Sequence, residues 1–130
     1  MKFFDYTTGL QHIGIPTNDI EATKAFYISL GFEVAYETLN ENANEKVSFL
    51  KRGDIIIEVY ENHRANKITG AIDHICFKVA NIELVFQDIK LGGFELADDE
   101  IQFLPFWENG VKFFNIYGPN KEKVEFLQLL

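Results

Sequence analysis

The spacing of apolar residues changes from strand-like to helical and back along the first half of the chain, then does so again in the second half. Residues 10–16 (LQHIGIP) form a short Ile-rich run suited to a strand. Asn18 and Asp19 follow, with side chains able to accept from the free N–H groups at a helix start, and Glu21 lies in the first turn, where its charge suits the helix dipole. Ile20, Thr23, Phe26, Tyr27 and Leu30 then recur every three or four positions, which marks one face of a helix. Gly31 ends it, because glycine adopts the left-handed conformation most easily. Three strands follow at 32–37 (FEVAYE), 46–51 (KVSFLK) and 54–61 (DIIIEVYE), the last two joined at Arg52-Gly53.

The second half runs through the same series. A strand at 72–79 (IDHICFKV) leads to an Asn81 cap, and Ile82, Val85, Phe86 and Ile89 keep helical spacing up to a stop at Gly93. Strands are predicted at 94–96 (FEL), at 101–107, and at 111–117 beyond the hairpin signal Asn109-Gly110. Gly118-Pro119-Asn120 then turns the chain into a last strand, 122–130. A shift of 62 positions aligns 10–34 with 72–96 without a gap, and seven of the 25 positions are identical, too many to assign to chance. His12 falls on His74, Ile20-Glu21 on Ile82-Glu83, and Gly31-Phe32-Glu33 on Gly93-Phe94-Glu95. The pattern therefore predicts an α+β fold of two tandem βαβββ modules within one domain, 1–130. Module one covers about 8–62 and module two about 70–130, with a polar connector at 62–71 between them.

Composition narrows the classes of function. A chain of 130 residues with 47% hydrophobic residues and 13 Phe has the material for a real core, which argues against disorder. A net charge of −8 makes electrostatic binding to nucleic acid or to an anionic membrane surface unexpected. No window has the apolar length of a membrane span, and the start MKFFDYTTGL, interrupted at Asp5, does not read as a signal peptide. The lone Cys76 can form no internal disulfide, in keeping with a reducing compartment, and a cytoplasmic location is expected. The expected partner is a small molecule.

Four polar residues interrupt apolar strands: His12 and His74 at matching places in the two opening strands, and Glu58 and Glu125 in the two closing ones. Strand side chains alternate, so His12 faces away from Ile13 and Ile15, and Glu58 and Glu125 face away from their apolar neighbours. Each half thus contributes one His and one Glu. A His2Glu2 set suits a borderline or hard divalent cation such as zinc, nickel, cobalt, iron or manganese. Singly, such residues are most often surface groups or satisfied core groups; four related by an internal repeat point to a metal. Cys76, two residues after His74, reads as a small pocket-lining residue, since no base or pKa-lowering group beside it is evident. His63 reads as a solvated loop residue, as does the acidic stretch Asp98-Asp99-Glu100.

With these residues in place, the chain resembles the vicinal-oxygen-chelate superfamily of glyoxalases, bleomycin resistance proteins and dioxygenases. The resemblance rests on HIGI…DIEATKAFYISLGFEV, DIIIEVYE, DHICFKVANIE and GPNKEKVEFLQ, and covers nearly the whole chain. It implies paired βαβββ modules forming a cupped mixed sheet around a metal held by His12, Glu58, His74 and Glu125. Glutamate at position 58 is more similar to glyoxalase I than to the epimerases, where Gln is common. The resemblance thus implies a lactoylglutathione lyase-type isomerase, in which metal-bound enediolate chemistry moves a proton between adjacent carbons. Glu125 is the favoured base and Glu58 the second carboxylate. It also implies a homodimer. The alternatives are another enzyme of the superfamily (an epimerase, a ring-cleaving dioxygenase or a fosfomycin-type transferase) or a non-catalytic resistance protein. The turn Gly118-Pro119-Asn120-Lys121 departs from the family's frequent Asp-Pro-x-Gly. The Arg positions that contact glutathione in bacterial glyoxalase I are not evident, because the only arginines are Arg52 and Arg64.

Overall fold

A computed structural model describes residues 2–68, 70–117, 119 and 123–130. The expected turn at Gly118-Pro119-Asn120-Lys121 and the start of the last strand at Glu122 involve residues outside this set. The chain divides into two compact units, His12–Asp73 and Met1–Gln11 with His74–Leu130.

The first unit holds most of β1 (Thr7–Thr17), then α1 (Ile20–Ser29), β2 (Glu33–Asn40), β3 (Glu45–Arg52) and β4 (Ile55–Glu61). Asp19 takes the extended backbone of a cap and accepts from the Ala22 N–H at 3.1 Å, so α1 begins where the sequence signal lies. Gly31, at φ 96°, ends it in the left-handed region. The strands run in the order β2-β3-β4-β1, with β1 parallel to β4 and the other pairs antiparallel. Ile20 of α1 packs on Leu50, Ile57 and Val59, with Ile15, Tyr27 and Phe32 at the margin. One face of this sheet is therefore filled by the helix, and alternation turns His12, Gly14, Phe49 and Glu58 to the other.

The second unit holds β5 (His74–Val79), α2 (Ile82–Leu91), β6 (Gln102–Leu104), β7 (Val111–Tyr117) and β8 (Lys123–Leu129). With the Thr7–Gln11 end of β1 its strand order is β1-β5-β8-β7-β6. Val79, Ile82, Val85, Ile89, Phe114, Ile116 and Phe126 form its core under α2. The module pattern and the α+β class hold, and Asn81 caps α2 by accepting from Leu84 N–H at 3.2 Å.

Three local expectations need correction. FEL at 94–96 forms no strand, only an isolated bridge from Leu96 to Ile116. Its pairing with β7 is broken because the Asp98 carboxylate takes the Asn115 N–H at 2.7 Å, where a backbone carbonyl would continue the ladder. Asp98 is accordingly a tied, half-buried residue rather than a solvated one. The expected strand at 101–107 shrinks to Gln102–Leu104. Pro105 has no N–H to donate, and Trp107 has φ 62°, a left-handed conformation incompatible with a strand. Gly110 closes this hairpin at φ 88°, and a Cβ there would lie 2.7 Å from the Phe103 ring. The N-terminus, unassigned in the sequence pattern, forms a 3-10 turn at Phe3–Tyr6, and Phe3 packs edge-on against Phe94 and Phe126.

The two helices share a second, repeat-related cap. Glu61 at the end of β4 accepts from the Ile20 N–H at 2.8 Å, and Gln128 at the end of β8 accepts from the Ile82 N–H at 2.9 Å. Each side chain satisfies one of the free N–H groups of the first helical turn, at residues that are buried. Glu61→Ala and Gln128→Ala are each expected to lower unfolding free energy by about 1–3 kcal/mol. Urea titration checks this beside exposed Glu41→Ala, which should fall within about 0.5 kcal/mol of the parent.

Candidate functional site

In the first unit, β1 delivers His12 and β4 delivers Glu58 to the sheet face opposite α1. His12 Nε2 lies 3.4 Å from Glu58 Oε1, and the two side chains are 2% and 13% exposed. The parallel register sets Glu58 beside Gly14, which has no side chain to separate the carboxylate from the imidazole. The edge of the Phe49 ring meets His12 with centroids 5.4 Å apart, which fixes the imidazole plane.

The second unit repeats the arrangement. His74 Nε2 lies 3.3 Å from Glu125 Oε1, with side chains 11% and 9% exposed. Here the register sets Glu125 beside Cys76 on one side and Asn115 on the other. Asn115 is held from behind, its amide donating to Asp98 at 2.9 Å. Cys76 is fully buried on the same face as His74, as a small residue lining that face would be. Each unit therefore brings its own predicted His and Glu together.

A neutral imidazole nitrogen and a carboxylate oxygen at this separation can share a proton or a cation. Bonds of about 2.0–2.2 Å to one ion place two neighbouring donors roughly 3–3.5 Å apart. Both pairs, at 3.4 and 3.3 Å, fit that requirement. The donor types, nitrogen and carboxylate oxygen, suit a borderline divalent ion.

Tyr60 escaped the sequence reading, although alternation from Glu58 places it on the same face. Its hydroxyl is hydrogen-bonded to Asp73, whose N–H donates to Gly14 O at 2.9 Å. Burial, then the Asp73 charge and hydrogen bond, then Glu58 push the phenol far above its ordinary range, so it stays protonated. Lys78 and Lys123, also unremarked in the pattern, lie on the His74 face of the second unit. His63 is a loop residue, as expected, 3.8 Å from Glu61.

A separate cavity of about 300 Å³ lies between α1, β2 and β3 of the first unit. Lys24 at its wall is paired with Glu37, and Glu37 also accepts from Ser48 at 3.1 Å. The hydrogen bond to Glu37 raises the Lys24 pKa, and that to Lys24 lowers the Glu37 pKa. These groups sit on the helix side of the sheet, away from His12 and Glu58, and satisfy one another.

Among the described residues no helix is long and apolar enough to cross a membrane. The chain is 28% identical over 124 residues to the Bacillus subtilis (strain 168) protein YwbC, covering 92% of this chain and 96% of that protein. Among solved structures it is similar to a hypothetical protein from Bacillus halodurans C-125, with TM-score 0.76, 26% identity and coverage of 93% and 94%. It also shares its fold with a Streptomyces coelicolor methylmalonyl-CoA epimerase in complex with 2-nitronate-propionyl-CoA, with TM-score 0.77, 24% identity and coverage of 94% and 97%. Residues 11–114 match a family model of these folds, and the chain belongs to the Glyoxalase/Bleomycin resistance protein/Dioxygenase superfamily.

Proposed function

We propose that this protein is a divalent-metal-dependent enzyme of the glyoxalase I type, moving a proton between carbons next to a carbonyl. In this reading residues 1–130 act as one domain, and His12, Glu58, His74 and Glu125 hold one ion of nickel, zinc, cobalt, manganese or iron. The observation that carries the reading is the pair of repeat-related His–Glu contacts at 3.4 and 3.3 Å, one in each unit. A repeat that keeps the same two residue types at the same separation, while most other positions change, is what a shared ligand duty would require. The protein acts on a small molecule in the cytoplasm, as a homodimer.

When bound, such an ion supplies Lewis-acid stabilisation for charge developing on substrate oxygen. The protein's own residues do the rest. Glu125, buried on β8 and held beside His74, takes a proton from the substrate carbon and returns it to the neighbouring one. Glu58 is the second carboxylate able to carry that proton. Phe49 and Tyr60 restrict water around the first pair, which strengthens the electrostatics there.

A second reading has support in the solved structures of methylmalonyl-CoA epimerases, one of them in complex with methylmalonyl-CoA. Epimerisation of a CoA thioester needs the same proton removal and return, on one carbon instead of two.

Metal analysis of protein purified without chelators tests the site. About one divalent ion per His2Glu2 set is expected. His74→Ala and Glu58→Ala should each weaken affinity by at least the roughly 10–100-fold that losing even an outer partner costs. Equally poor binding by the parent and both variants would overturn the assignment. Turnover of thiol adducts of methylglyoxal against methylmalonyl thioesters then separates the two readings.

A further inference from the structure

The two His–Glu pairs are related by the repeat, but their surroundings are not. On the face of the first unit that carries His12 and Glu58, Ile56 precedes Glu58 by two with the exposed Lys51 of β3 beside it, and Pro16 stands beside Tyr60. The matching positions of the second unit carry cations. Lys123, the counterpart of Ile56, stands beside His74, and Lys78, the counterpart of Pro16, stands beside Leu127. Phe77, Val79, Val124 and Phe126 pack into the core under α2, so alternation turns Lys78 and Lys123 to the face of His74, Cys76 and Glu125.

Steps of two residues along a strand are about 6.6 Å, and neighbouring strands lie about 4.8 Å apart. Lys123 and Lys78 therefore stand one step to either side of the Glu125 row, within a lysine's reach of a group bound at the His74–Glu125 pair. Both are half-buried, where a charge acts more strongly than at an open surface. The first unit has one exposed lysine, Lys51, in the row that Lys123 occupies in the second, and Pro16 where the second has Lys78. Two half-buried cations therefore flank the His74–Glu125 pair, where the His12–Glu58 pair has none half-buried on β1 or β4.

We infer that Lys78 and Lys123 bind an oxyanionic group, a carboxylate or a phosphate, carried by the substrate of the His74–Glu125 half-site. The inference rests on the proposed function and gives the substrate a polarity: its oxyanion is read by the second unit. It also offers a cationic site in place of the absent glutathione-type arginines.

Calorimetric titration of metal-loaded protein with three hydroxamates tests it. Acetohydroxamate offers two vicinal oxygens alone, succinic monohydroxamate adds a carboxylate, and phosphonoacetohydroxamate adds a phosphonate. At least one acidic ligand should bind about tenfold or more tightly than acetohydroxamate, with the advantage shrinking as salt rises. The tighter of the two identifies the oxyanion. Lys78→Ala and Lys123→Ala should each narrow the gap, and the double variant should close it. Lys78→Arg with Lys123→Arg should restore it, and Lys90→Ala on α2 should leave it intact. Equal affinity for all three ligands with metal in place, or a gap that survives the double variant, overturns the inference alone. Failure to load metal together with no acetohydroxamate binding overturns the metal reading, and this inference with it.

Discussion

Glu125→Gln is expected to slow proton exchange by roughly 10²–10⁴-fold, the range typical of losing a general base. That corresponds to about 3–5 kcal/mol of barrier. The amide keeps the shape of the carboxylate and a neutral oxygen donor beside His74, so part of the metal affinity should survive while the basicity does not. Steric loss is small, because Glu125 stands between Cys76 and Asn115 in an intact ladder that the substitution leaves alone. The measurement is deuterium incorporation from solvent at the substrate carbon, with parent and variant at equal metal content. Exchange that persists undiminished in metal-loaded Glu125→Gln would move the base to Glu58. Loss of exchange in both Glu125→Gln and Glu58→Gln would fit two carboxylates handling one proton.

Phe114→Ala should cost about 3–5 kcal/mol of stability, a large part of the 5–15 kcal/mol that holds a typical domain together. Phe114 is fully buried on β7, stacked on Phe126 at 5.3 Å and met edge-on by Phe86 at 4.9 Å. Truncation removes both ring contacts and leaves a void beneath α2 that Ile82, Val85 and Ile89 are too constrained to fill. Urea unfolding with Phe26→Ala as comparison isolates the effect, since Phe26 is 58% exposed on α1 and should cost far less. A cost below about 1 kcal/mol at Phe114 would mean that this core tolerates a cavity or collapses around it.

The two His–Glu pairs were legible because a repeat acts as its own control. His12 and His74, and Glu58 and Glu125, recur against a background that has diverged, and strand alternation alone places each pair on the side away from its helix. The helices were legible for a local reason as well: Asp19 and Asn81 cap them, and Gly31 and Gly93 end them with φ of 96° and 76°. The strand FEL and the long strand over 101–107 misread for a related reason. A local apolar pattern records propensity, and it holds no trace of the Asp98 carboxylate, 17 residues away, displacing the ladder bond at Asn115. Pro105 was a visible warning against a strand continuing to Trp107.

By itself, then, the sequence determined the α+β class, the duplicated module, the helix limits and the four polar residues, since each is written in contacts between near neighbours or in the spacing of the repeat. Only the tertiary structure decided how each His meets its Glu, at 3.4 and 3.3 Å, across 46 and 51 residues of chain. It also decided that Glu61 and Gln128 close the helix starts, that Tyr60 bonds to Asp73, and that Phe3 completes the core of the second unit rather than the first. The first three depend on strand register, since a shift of one residue would send His12, Glu58, Tyr60, His74 and Glu125 to the other side of the sheet, and the last depends on how the N-terminal turn packs.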